Sequence, residues 1–164
     1  MKIYSGIPTK RCKLVDVVAL DPGVTTGVAT YESVNGEDIF RSFHIEPRKY
    51  PHPHEALYDM LCALSPKKIV YEVFHHRQNM SNVVFTGVEY IGIIELVGQM
   101  RCIDIVKITP SDGKGFWDDR KLRVIGVHNP GHVHANDAMR VLLRDKMKDQ
   151  LWIDTILPTL KLKL

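Results

Sequence analysis

The chain has 164 residues, 45% of them hydrophobic and 25% charged, with a formal net charge of +3 and a pI near 8.7. That length suits one domain with a sizeable core, and the composition excludes disordered and fibrous classes. The mildly basic balance permits nucleic-acid binding without demanding it.

The first 13 residues are polar and basic and are expected to form an arm. The apolar run "LVDVVAL", Leu14 to Leu20, reads as a buried strand, followed by the sharp turn "DPGVTTG". Gly27 to Ser33 reads as a second strand, and the Asn-Gly in "VNGED" marks a tight hairpin into a third, Asp38 to Ile45. "PRKYPHPH" breaks the pattern with its prolines. Glu55 to Leu64 then has helical spacing of Ala56, Leu57, Met60, Leu61 and Leu64. "KKIVYEVF" is a fourth strand, Asn82 to Met100 an apolar helix, and "CIDIVKI" a fifth strand closed by Pro110. The glycine-containing loop "PSDGKGFWDD" leads to a short helix around Arg120 to Val127. A last core helix runs from about His132 to Met147, leaving a short C-terminal tail with Trp152, Ile156 and Pro158. A meander followed by βα units predicts an α/β fold, a mixed five-stranded sheet flanked by helices, in a single domain with its core at about 14 to 147.

Cys12, Cys62 and Cys102 are widely spaced and form no CxxC pair, which argues against a disulfide framework or a zinc finger and for reduced thiols. No apolar leader is visible, and "VEYIGIIELVGQM" is too short and too acidic to span a bilayer, so the expectation is a cytoplasmic protein without membrane contact. No GxxxxGK[ST] occurs, so no nucleotide cofactor is expected.

Three carboxylates stand against apolar backgrounds: Asp21 at the end of the first long strand, Glu72 in "IVYEVF", and Asp137 in "HVHANDAMRVLL". Taken singly, each has a plainer role, as a turn residue, an exposed strand residue or an acid near a helix N-terminus. Taken together, adjacent strands and the last helix can bring them to one edge. Converging acids repel one another unless a cation joins them, and oxygen-rich sites select hard ions such as Mg²⁺ or Mn²⁺. His134 lies one helical turn before Asp137 on the same face. The spacing of His128, His132 and His134 hints at zinc, but Pro130 and Gly131 interrupt any common helix face.

"LDPGVTTGVA", "IVYEVF" and "HANDAMRVLL", in this order, resemble the RuvC-type Holliday junction resolvases of the RNase H-like superfamily, compact phage-encoded members among them. The resemblance implies an RNase H-like fold and a crossover junction endodeoxyribonuclease that resolves four-way and other branched DNA by divalent-metal-dependent hydrolysis. It implies a catalytic and metal-binding set of Asp21, Glu72, His134 and Asp137, with two ions per active site. It also implies a homodimer in a bacterial or phage-host cytoplasm; the helix Asn82 to Met100 is the candidate face, burial of its apolar residues within one subunit being the equal alternative. Two alternatives stay open: a related nuclease acting on fork or flap DNA or on an RNA–DNA hybrid, and a non-catalytic nucleic-acid-binding module of the same fold. Thr25, Thr26, Arg77, Lys114, Arg120, Lys121 and Arg123 are candidates for phosphate contact, with an ordinary solvated face the alternative for the cations, and Phe74, Phe116 and Trp117 are candidates for base stacking, with a core or loop-packing role equally open for each.

Overall fold

The computed structural model describes residues 3–4, 14–73, 85–110 and 115–163. Their strands form one sheet in the order β1-β4-β3-β2-β5-β6. The long strands are β2 (Val15–Asp21), β3 (Thr26–Val34), β4 (Glu37–Ile45), β5 (Pro66–Glu72) and β6 (Asp104–Ile108). They are the five expected from the sequence. A two-residue strand β1 (Ile3–Tyr4) adds a parallel edge beside β4, within the stretch expected to be an arm.

β2, β3 and β4 form the antiparallel meander, and β5 and β6 add in parallel on the other side of β2. The β3–β4 turn is Asn35-Gly36 with φ of 53° and 79°, the left-handed pair that a two-residue hairpin requires. Because side chains alternate across a strand, β2 feeds two cores. Val17 and Ala19 point to one face, and Val18 and Leu20 to the other.

The second face is covered by helices α1 (Pro53–Leu64) and α2 (Thr86–Arg101), whose Leu57, Leu61, Tyr90, Ile94 and Val97 are buried there. The first face is covered by α3 (Asp119–Val124), α4 (Val133–Lys146) and α5 (Gln150–Lys163). The residues after Met147, expected to be a tail, continue as helix α5. Trp152 anchors it, buried with ring centroids 6.4 Å from Phe40 and 6.1 Å from Trp117. Among the described residues no helix is long and apolar enough to cross a membrane.

Candidate active site

The site forms where β2 and β5 end. These strands run parallel with Leu20 opposite Tyr71, and each stops one residue later, on Asp21 and Glu72. The shared register therefore sets two acids side by side at the carboxyl edge of the sheet, beyond the buried apolar run of each strand. In an open α/β sheet this edge is where ligands bind.

Asp21 also pairs across to Gly27 on β3. Thr26 closes the intervening turn. Its hydroxyl donates to the Gly23 carbonyl at 2.9 Å, and the Gly23 N–H donates to the Thr26 hydroxyl oxygen at 3.4 Å. Thr26 is fully buried, so its hydroxyl serves the turn and does not face a phosphate. Thr25 is half-buried beside it.

Helix α4 lies directly on this turn. A Cβ built at Gly27 would stand 1.9 Å from the His134 carbonyl oxygen, so only glycine lets the helix approach. The contact delivers the first turn of α4 over the strand ends. His134 Nδ1 stands 3.2 Å from Asp21 Oδ2, and the ring remains about half exposed. Asp137, one turn further on, is buried, with 8% exposure. Its Oδ1 accepts a hydrogen bond from Arg140.

The approach to α4 is fixed by amide and imidazole contacts that the sequence did not disclose. Asn136 Oδ1 accepts from Asn129 N at 2.8 Å, its Nδ2 donates to Asn129 O at 2.9 Å, and Asn129 Nδ2 donates to Ser42 O at 3.1 Å. His132, the residue before the helix, places Nδ1 3.0 Å from His44 Nδ1 on β4. Together these clamp the "HNPG" loop and the start of α4 to the meander.

The donor set is of the right chemistry for a hard divalent ion: carboxylate oxygens from Asp21, Glu72 and Asp137, with the His134 imidazole at the rim. Among the described residues, no three His, Cys, Asp or Glu side chains already surround a single point. One Asp137 oxygen is engaged by Arg140.

The expected phosphate contacts divide. Phe74, Arg77 and Lys114 lie outside the described residues. Arg120 and Arg123 are on the exposed side of α3, and Arg123 borders a groove of about 490 Å³ shared with Gly126, His128, Pro130 and Gly131. Lys121 is turned inward. Its Nζ donates to the Phe116 carbonyl at 2.7 Å and sits 3.9 Å from the centre of the Phe116 ring. Trp117 is a core residue, 1% exposed, and is not available for stacking on a base. Phe116 packs partly against the same core.

Sequence reasoning also missed Arg140 and Asp119. Arg140 spans from Asp137 to Asp119 on α3. Its i, i+3 spacing from Asp137 was the available signal.

No family model and no curated protein matches this sequence. Solved structures do match. The chain superposes on Thermus thermophilus RuvC in complex with a Holliday junction substrate with a TM-score of 0.61 and 12% identity, covering 82% of this chain and 94% of that one. A second Thermus thermophilus RuvC structure gives 0.59 and 16%, covering 82% and 95%. The chain has the RuvC-like, RNase H-like α/β fold.

Proposed function

We propose that this protein is a divalent-metal-dependent endonuclease that cuts branched DNA, with the four-way junction as its preferred substrate. The observation that carries this reading is the pairing of β2 with β5, which ends two adjacent parallel strands on Asp21 and Glu72 under the start of α4. The likeness to a RuvC bound to a Holliday junction supports the choice of substrate.

Asp21, Glu72 and Asp137 would hold Mg²⁺ or Mn²⁺, two ions in the reading favoured here, with His134 at the rim. Bound there, the ions would supply Lewis acidity and a nucleophilic water for phosphodiester hydrolysis. The protein's own part is positional. The strand register fixes the spacing of Asp21 and Glu72, and the Gly27 contact fixes the height of α4 above them. His134, about half exposed and beside Asp21, would take or give a proton at the cut strand in this reading.

A homodimer is part of the proposal, because a two-fold protein matches a two-fold junction and supplies paired cuts. Helix α2 offers a face for it. Its inner side is buried on the sheet, yet Phe85, just before it, and Val88, Leu96 and Met100 are exposed at helical spacing. Gly92, in the middle of that stripe, has open space where a side chain would be, which permits close approach of a partner helix. The outward stripe explains why α2 is apolar on both sides.

The deciding experiment incubates the protein with end-labelled four-way junction, fork, flap, linear duplex and RNA–DNA hybrid, each with Mg²⁺, Mn²⁺ or EDTA. Cleavage of the junction, abolished by EDTA and by Asp21→Asn or Glu72→Gln with junction binding retained, is the expected result. Normal cleavage by either variant, or cleavage of the hybrid in preference to every branched DNA, overturns it.

A further inference from the structure

Asp137 presents a problem that the proposed function does not solve. Its carboxylate is buried, and something must offset its charge. Arg140 does so, and the way it is held suggests a further role. Its one guanidinium is anchored on each nitrogen. Nη1 donates to Asp137 Oδ1, Nη2 to Asp119 Oδ1, and Nε to the Trp117 carbonyl at 2.7 Å. The side chain is 12% exposed. These partners lie on different parts of the chain: α4 itself, α3, and the link leading into α3. A planar fork held at all of these points cannot follow Asp137 if that carboxylate rotates.

We propose that Arg140 is a positioning residue that acts as a tethered counter-cation: it fixes the Asp137 carboxylate, competes with a divalent ion for it, and couples it to α3. This rests on the reading of Asp137 as a metal ligand. The guanidinium occupies one carboxylate oxygen. When an ion takes Asp137, the positive charge of Arg140 remains close by and weakens the ion's binding. Asp119 limits that penalty, because it gives Arg140 a second carboxylate. Asp119 is itself half exposed and lies 3.9 Å from Arg123 and 3.8 Å from His128, so its balance of partners changes if DNA engages α3. The ion site and the proposed DNA-contact helix thus share one arginine.

The test is calorimetric titration of Mn²⁺ into the DNA-free protein, with thermal unfolding as the check on folding. Arg140→Gln removes the charge and should bind Mn²⁺ at least about tenfold more tightly, the scale of a unit charge a few ångströms from a divalent ion near water. Its cleavage should nonetheless slow, since Asp137 is no longer held. Arg140→Lys keeps the charge without the fork and should show nearly wild-type Mn²⁺ affinity. Asp119→Asn leaves Arg140 leaning on Asp137 and should weaken Mn²⁺ binding several-fold, which keeps the idea testable if Arg140→Gln fails to fold. A gain in affinity cannot come from structural damage. Folded Arg140→Gln with unchanged or weaker Mn²⁺ binding overturns the proposal, as does Asp119→Asn with unchanged binding. Asp137→Asn separates the two readings. If it leaves Mn²⁺ binding intact, Asp137 is not a ligand and both fall. If it abolishes binding while the Arg140 and Asp119 variants have no effect, only the counter-cation role falls.

Discussion

Gly27 and the carbonyl oxygen of His134 are in such close apposition that a methyl group at position 27 would lie 1.9 Å from that oxygen and 3.2 Å from the Ala138 Cβ. The obstacle is helix backbone, which cannot rotate aside. Gly27→Ala should therefore lift the start of α4 from the strand ends. We expect a loss of about 1–3 kcal/mol in denaturant unfolding, and a loss of cleavage beyond what that destabilisation explains, because His134 and Asp137 ride on the displaced turn. A variant with wild-type unfolding midpoint and rate would show that α4 does not need this contact.

Much of this arrangement was legible in the sequence because strand ends announce themselves. "VVAL" and "IVY" are unbroken apolar runs, and the carboxylate that follows each, Asp21 and Glu72, stands out. The Asn-Gly hairpin was legible for the same reason, since few residues tolerate its backbone. What could not be read was which neighbour a side chain meets. Thr26 looked like a hydroxyl on offer, but the turn folds it inward. Lys121 looked like a surface group beside a glycine loop, and Trp117 could be read as a stacking or a core residue. Trp117 fills the core against Trp152, and Lys121 is engaged by Phe116. Helix α5 was read as a tail, and the burial that stabilises it comes from Trp152 meeting Phe40, residues distant in sequence. Such long-range packing leaves no local periodic signal.

Acid should destabilise the protein partly through Glu95. This carboxylate accepts a hydrogen bond from the Tyr71 hydroxyl and lies 2.9 Å from Lys107 Nζ. The Tyr71 bond first, then Lys107, holds its pKa below the ordinary 4.5. A depressed carboxylate stabilises the fold above its unfolded pKa and stops doing so as pH falls through the lower folded value. Urea midpoints of wild type and Glu95→Gln should therefore differ at neutral pH and converge as pH drops below 4.5. A constant difference across that window would show that Glu95 stabilises through packing and not through its charge.

His134 is expected to matter for its chemistry more than for stability, because its ring is about half exposed and its near partner is Asp21 at 3.2 Å. His134→Ala should lower kcat on a four-way junction by about 10²-fold, the lower range for loss of a positioned proton carrier. His134→Asp restores a titratable oxygen donor at the same edge and should recover most of the rate. Single-turnover cleavage at saturating Mg²⁺ measures both. An alanine variant at wild-type rate would reduce His134 to a hydrogen-bond partner of Asp21.

The DNA path is the remaining question, and α3 makes a graded prediction. The acids at the strand ends repel phosphate, so a bound backbone needs cations flanking them. Arg120 and Arg123 lie on the exposed side of α3, and Arg123 is 62% exposed at the edge of the groove that continues to His128 and Gly131. Its pairing with Asp119 at 3.9 Å is a loose surface contact that a phosphate can replace. Lys121 has a different task, capping the Phe116 carbonyl at 2.7 Å. Arg120→Ala/Arg123→Ala should thus weaken junction binding similarly across sequences and make the log–log salt dependence shallower by roughly two units. Lys121→Ala should lower thermal stability while leaving the salt slope nearly unchanged. Fluorescence anisotropy at several salt concentrations distinguishes them. A wild-type slope in the double arginine variant would remove α3 from the DNA path and direct attention to Arg77 and to the basic stretch from Lys10 to Lys13.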